Sequence, residues 1–305
     1  MRAARRALER LSLSRRIPPD ALRRPNESNV CLVGLCGGAA AHELFLYVSW
    51  KNAVRALDVR TGRLDARDAY TPPNMEYVYD VAYSAESDSL FVATISRREI
   101  EFDVEFSGSI VRSLARRTDG QWSECHRMQL APEGPEGLDT RVYLRVLRDG
   151  TLLCSQFGTS GIHVCRAHSD RSLQHCARVA LSVKHFGFDA QLVGNDRRLV
   201  ATLLGSSVAL FRIDTEPVAL VQLSRLTLAG SRKALFCGDS LLVGVATDDH
   251  VREAVSFTTT DGRLEYDRQL IPRDDRLNIC SWCFVEGTLF AWDFTSEELL
   301  LFNTA

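Results

Sequence analysis

Six apolar pairs headed by leucine, each following a short polar stretch, constrain this chain more than any other feature: Leu44-Phe45, Leu90-Phe91, Leu152-Leu153, Leu199-Val200, Leu241-Leu242 and Leu289-Phe290. The leucines are 46, 62, 47, 42 and 48 residues apart, so a period in the forties is broken once. Self-similarity at such a period marks a repeat architecture, in which each unit is one supersecondary element that cannot bury its apolar face alone.

Each pair opens a strand directly after a turn signal, as at Asn195-Asp196-Arg197, Gly238-Asp239-Ser240, Asp149-Gly150-Thr151 and Glu286-Gly287-Thr288. Such a cluster between apolar runs is a tight hairpin, which makes its flanks antiparallel neighbours. A second turn recurs further on, at Thr61-Gly62, Thr118-Asp119-Gly120, Ser169-Asp170, Asp214-Thr215-Glu216-Pro217 and Thr260-Asp261-Gly262, again between apolar-rich strands. Four antiparallel strands per unit make a propeller blade. The fold class expected is therefore all-β: a single six-bladed β-propeller of four-stranded antiparallel blades, at about residues 30–70, 77–130, 141–181, 186–228, 233–271 and 278–305, with seven blades as the alternative.

The sixth unit runs out at Ala305 before its fourth strand, and an exposed ladder is an edge that natural sheets avoid. The segment Leu11-Ser12-Leu13-Ser14-Arg15-Arg16-Ile17 alternates apolar and polar residues and is expected to supply that strand and close the ring. An amphipathic helix with Ala4, Leu8 and Leu11 on one face, or a mitochondrial presequence, is the alternative for this arginine-rich, acid-poor segment. The domains expected are thus a basic N-terminal arm, 1–27, with the closing strand at 11–17, and a propeller, 28–305.

Composition narrows the class. Nothing approaches the roughly 18 uninterrupted apolar residues of a membrane span, and the N-terminus lacks the apolar region of a secretory signal, so an intracellular protein, cytoplasmic or nuclear, is expected. Nine cysteines without regular spacing, mostly inside apolar runs, fit reduced thiols. Of the 37 basic residues only Lys51, Lys184 and Lys233 are lysine, and the arginines are scattered except at the start. Residues 1–24 hold eight arginines against Glu9 and Asp20, a balance of +6, so the net charge of −2 leaves −8 on the rest.

In architecture and period the chain resembles the WD40-like β-propeller superfamily over nearly all its length, without that group's sharpest marks. No Gly-His pair opens a repeat, and the one Trp-Asp pair, Trp292-Asp293, falls at the end of a second strand rather than a third. The resemblance implies a ring scaffold that binds proteins, peptides or occasionally nucleic acid on its faces. It carries over no functional residue.

The one long interval, sixteen residues longer than the first, isolates Glu99-Ile100-Glu101-Phe102-Asp103-Val104-Glu105-Phe106. Read as one strand turning at Ser107-Gly108, it puts Ile100, Phe102, Val104 and Phe106 on one face and Glu99, Glu101, Asp103 and Glu105 on the other. Such an arm either packs its apolar side on its own blade or docks a basic or strand-forming partner, whose charge relieves the repulsion among the carboxylates. Loops expected on the same face are also acidic: Glu133 and Glu136, Asp248 and Asp249, and Asp274 and Asp275, with Arg141, Arg252, Arg273 and Arg276 among them. An acidic face argues against nucleic acid as the main ligand and leaves the basic N-terminal arm as its only candidate contact.

Evidence for catalysis is thin. Asp80, Arg145, Asp189, Asn278 and Cys237 fall near the expected inner strands, too few carboxylates to name a metal site. Cys280-Ser281-Trp282-Cys283 has zinc-pair spacing but no second pair, and residues i and i+3 of a strand face opposite sides. No phosphate loop or nucleophile elbow occurs. The function expected is a non-catalytic protein-interaction scaffold, with no cofactor or metal, binding a protein or peptide partner through the acidic loop face and the blade-two hairpin. The alternative is a propeller hydrolase or other small-molecule enzyme with a metal in the central channel.

Overall fold

The computed structural model describes residues 11–23, 32–38, 42–48, 52–74, 76–100, 103–130, 142–156, 159–181, 184–193, 195–203, 206–215, 217–238, 240–247, 250–260 and 262–304. The secondary structure described is all β apart from one helical turn. The chain divides into two compact units, Pro19–Lys184 and Met1–Pro18 with His185–Ala305.

The N-terminal strand β1 (Leu11–Ile17) belongs to the second unit, and the helical turn α1 (Pro19–Leu22) to the first. The first unit then holds three four-stranded antiparallel sheets. They are β2 (Leu32–Gly37), β3 (Glu43–Val48), β4 (Ala53–Asp58) and β5 (Arg63–Leu64); β6 (Glu76–Ser84), β7 (Ser89–Ile100), β8 (Asp103–Arg116) and β9 (Trp122–Leu130); and β10 (Val142–Val146), β11 (Thr151–Gln156), β12 (Gly161–Ala167) and β13 (Leu173–Ala180).

The second unit holds a four-stranded sheet of β14 (His185–Val193), β15 (Asp196–Leu203), β16 (Ser207–Thr215) and β17 (Val218–Thr227). It also holds an eight-stranded sheet made of two four-stranded sets. One set is β18 (Ser231–Cys237), β19 (Ser240–Thr247), β20 (His250–Thr260) and β21 (Arg263–Ile271). The other is β22 (Ile279–Val285), β23 (Thr288–Asp293) and β24 (Glu298–Thr304) with β1 as its fourth strand. A single pair, Val251 with Ile279, joins them. The described residues thus form six four-stranded sets.

All six repeat leucines lie in the second strand of a set, and none is more than 1% exposed. Successive side chains of a strand point to opposite faces, and the two members of each pair use both. Leu90 packs on the first sheet, with Phe45, Tyr47, Val54 and Ala56, while Phe91 packs on the third, with Val142 and Leu144. Leu241 packs back on Val200, Val208 and Leu210, and Leu242 forward on Ile279, Trp282 and Leu289. The pair is a stitch between consecutive sheets, and full burial of such a side chain contributes about 1.5–3 kcal/mol.

Backbone irregularities follow the same leucines. In five sets the first strand carries one extra residue (Val33, Tyr79, Phe186, Arg232 and Cys280) opposite the third and fourth residues after the leucine. In five sets the fourth strand carries an extra residue (Cys125, Cys176, Leu223, Asp267 and Ser14) beside the third-strand residue that pairs with the leucine, and β21 carries a second one, Leu270. Such bulges raise the local right-handed twist.

β1 pairs antiparallel with β24 from Leu11 with Thr304 to Ile17 with Leu299, burying Leu11 and Ile17. Residues 11–17 are therefore a strand, which corrects the helical alternative over that span; Ala4 and Leu8 lie outside the described residues. No helix among the described residues is long and apolar enough to cross a membrane.

Candidate functional site

The long interval is accounted for by β7 and β8, the two longest strands, which exceed their sheet neighbours. β6 stops pairing with β7 at Glu76 with Ser96, and β9 stops pairing with β8 at Leu130 with Ser109. β7 and β8 run on as a two-stranded arm through Ser96 with Ser107, Arg97 with Phe106, Arg98 with Glu105, Glu99 with Val104 and Ile100 with Asp103.

This corrects the sequence reading in one respect. Glu99 to Phe106 is not one strand: the chain reverses between Ile100 and Asp103, so Glu99 stands opposite Val104 and Ile100 opposite Asp103. Ser107-Gly108 is not the turn but a bulge in β8, where Ile95 pairs with Ser109 and Ser96 with Ser107, and Gly108 takes φ of 69°. That left-handed conformation is what glycine permits without steric cost.

Polar groups anchor the root of the arm on both sides. Ser109 accepts a hydrogen bond from Gln156 Nε2 of the third sheet at 3.2 Å. Arg112 is fully buried and donates to Glu76 Oε1 at 2.8 Å, to Glu124 Oε2 at 2.9 Å and to Thr94 Oγ1, which itself donates to Glu76 at 2.8 Å. Burial opposes the charge on Arg112, but Tyr70, Glu76 and Glu124 outweigh it and hold its pKa above the ordinary value. The Tyr70 hydroxyl, buried and without a hydrogen-bond partner, has its pKa pushed up to about 12 by burial, Arg112 opposing and the two glutamates adding. Nothing in the sequence announces this cluster, because its members lie on different strands.

Of the residues expected to bind a partner, Glu99, Asp103, Glu105 and Phe106 stand in the arm. Glu101, Phe102, Glu133, Glu136, Asp248 and Asp249 lie outside the described residues. Asp274 and Asp275, in the other unit, are paired: Arg276 meets Asp274 at 3.0 Å, and Asp275 lies 3.2 Å from Arg273 and 3.7 Å from Arg252. The hydrogen bonds from Arg276 hold the Asp274 carboxyl below the usual range. These two carboxylates present little net negative field.

The inner-strand carboxylates have structural partners. Asp80 accepts the backbone N–H of Leu144, in the first strand of the next sheet, at 2.9 Å, and meets Arg145 at 3.2 Å. Asp189 accepts the N–H of Phe236, again in the next first strand, at 2.7 Å. Asp293 accepts from the backbone of Asn278 and Thr295 and from Ser296. Cys237 is a buried free thiol, its pKa raised by burial, by Asp189 and by Cys283. Cys280 lies 3.7 Å from Asn278 Oδ1. Among the described residues no three His, Cys, Asp or Glu stand close enough to hold a metal ion.

Among solved structures, a glucose dehydrogenase aligns with a TM-score of 0.67 and 11% identity over 97% of this chain and 99% of that one. The Cps50 (Swd1) β-propeller domain of Myceliophteria thermophila aligns at 0.57 and 10%, over 97% and 100%, and U3-55K at 0.56 and 12%, over 92% and 98%. The fold is a β-propeller. At these identities the likeness is one of fold alone. No family model matches the chain, and no curated protein sequence matches it.

Proposed function

We propose that the chain is one six-bladed propeller over residues 28–305, with β1 of the N-terminal arm completing the sixth blade. It is an intracellular, non-catalytic scaffold that holds a protein or peptide partner, a basic one in particular, on the β7–β8 arm. The observation that carries this reading is the arm itself: four residue pairs, from Arg97 with Phe106 to Ile100 with Asp103, that add nothing to the four-stranded sheet and continue past both neighbours. Excess backbone ladder of this kind is a template for association. The propellers Cps50 (Swd1) and U3-55K support the architecture rather than the partner.

The test is affinity purification of the wild type beside the reversal Glu101→Lys, Asp103→Lys and Glu105→Lys. Partners bound by the wild type are expected to be lost from the variant at unchanged folding; an unchanged partner list refutes docking on the arm.

The likeness to glucose dehydrogenase favours a second reading, a small-molecule enzyme with a metal in the channel. The engagement of Asp80, Asp189 and Asp293 with backbone N–H groups argues against it. Calcium or zinc raises the melting temperature of such an enzyme through linkage; a scaffold is indifferent.

A further inference from the structure

We propose that the partner binds by strand addition to the side of β8 beyond the end of β9, as an extended segment with lysine or arginine at alternate positions. This rests on the arm-docking reading above and specifies how the arm is used. Beyond Ser109, no described strand pairs with β8 on the side where β9 ends. Pro132, the second residue after Leu130, has no N–H with which to continue that ladder. On the β7 side, Glu76 N–H closes a turn onto Pro73 O, and the prolines at 72 and 73 again cannot continue the pairing. Each sheet neighbour is thus followed by proline where β7 and β8 go on.

The molecule already uses an equivalent edge. In the fifth set the second and third strands also overrun their neighbours, with Ala246 opposite Val251 and Thr247 opposite His250, and β21 begins pairing with β20 only at Ala254. There Val251 of β20, the third strand like β8, pairs with Ile279 of the next set. The edge past the fourth strand therefore accepts a new strand in one set and has no described strand on it in the other.

Charge selects β8 over β7. Residues 97–100 of β7 mix Arg97 and Arg98 with Glu99, whereas 103–107 of β8 hold Asp103 and Glu105 and no basic residue. Cross-strand pairs of opposite charge contribute roughly 0.2–1 kcal/mol each. Carboxylates two residues apart along one strand match basic residues two apart on an antiparallel partner, with apolar residues at the positions between.

Fluorescence anisotropy of the full chain with labelled ten-residue peptides tests this. The probes are a peptide alternating arginine and valine, its glutamate–valine counterpart, and two forms of the arginine peptide N-methylated at every second residue, one in each phase. The arginine peptide is expected to bind and the glutamate one to bind at least tenfold more weakly. One N-methylated phase is expected to lose at least tenfold and the other to bind as before, because only alternate residues of an added strand donate to the edge. The Asp103→Lys, Glu105→Lys variant is expected to lose the arginine peptide at an unchanged circular dichroism spectrum and melting temperature.

Equal binding of both N-methylated phases overturns strand addition in favour of plain charge attraction. No binding of the arginine peptide overturns it too, as does a protein that sediments as a dimer through the arm, which assigns the edge to a second copy. If the triple reversal strips partners while the peptides show no phase dependence, the arm-docking reading stands and strand addition alone falls.

Discussion

Ser14 donates its hydroxyl hydrogen to the carbonyl oxygen of Leu301 at 3.0 Å, at the one place where β1 carries an extra residue against β24. In four other sets the fourth strand, arriving through a short turn, carries its extra residue at the equivalent place, and the residues there are Cys125, Cys176, Leu223 and Asp267. These five positions hold two cysteines, a serine, a leucine and an aspartate, so no single side-chain chemistry is required there. The bulge is therefore imposed by the third strand and the twist it needs, and β1, coming from the other end of the chain, obeys the same rule.

Removing an inter-sheet carboxylate should weaken the fold without touching its surface. Asp80→Ala leaves the buried N–H of Leu144 without an acceptor, and Asp189→Ala does so for Phe236, each at a cost of about 1–3 kcal/mol. Urea unfolding should show a lower midpoint at unchanged slope for both variants. An unchanged midpoint would mean that the two aspartates do not hold neighbouring sheets together.

Arg112 is buried and answers to two carboxylates, a largely buried Glu76 and a partly exposed Glu124. Arg112→Met strands Glu76 and Glu124, and breaking a buried pair by removing one partner costs on the order of 3–5 kcal/mol, the partial exposure of Glu124 placing this case at the lower end. Adding Glu76→Gln to Arg112→Met should recover part of that loss, as measured by a double-mutant cycle in chemical denaturation.

Alkali should find Tyr70. Its pKa is raised from 10 to about 12 in the fold, so the folded state favours the neutral phenol. That contribution is complete below pH 10 and is lost as pH climbs through 12. Tyr70→Phe, which removes a hydroxyl without a partner, should match the wild type at pH 7 and lose less stability between pH 10 and 12. Parallel loss in both proteins contradicts the assignment.

Gly108→Ala tests the root of the arm. A methyl group there meets the Gln129 amide at 2.9 Å, which a flexible side chain can relieve, but φ of 69° remains strained for alanine at a cost of roughly 1 kcal/mol. Faster amide exchange at 96–107, with the rest of the second sheet unchanged, is the expected result.

Much of this fold was legible because the leucine pair recurs six times at the same place in the second strand, and where its packing is seen, at Leu90-Phe91 and Leu241-Leu242, it faces the sheets before and after, so it must be apolar at two consecutive positions. The bulges were not legible, since they need no particular residue. The arm was misread for a physical reason. Glu99 to Phe106 alternates polar and apolar residues straight through its reversal, with neither glycine nor proline between Ile100 and Asp103, so a period of two cannot distinguish one strand from a hairpin. The partners of Asp80 and Asp189 lie 64 and 47 residues away, beyond any local pattern.

The claim that one propeller is assembled from both ends of the chain is tested most directly by deleting residues 1–17 and following thermal unfolding. The deletion removes the buried Leu11 and Ile17 and bares the edge of β24. At about 1.5–3 kcal/mol per buried side chain and roughly 2–4 °C per kcal/mol, the transition should fall by about 10 °C and regain most of that with a synthetic peptide of residues 8–18 in excess. An unshifted transition would contradict the account.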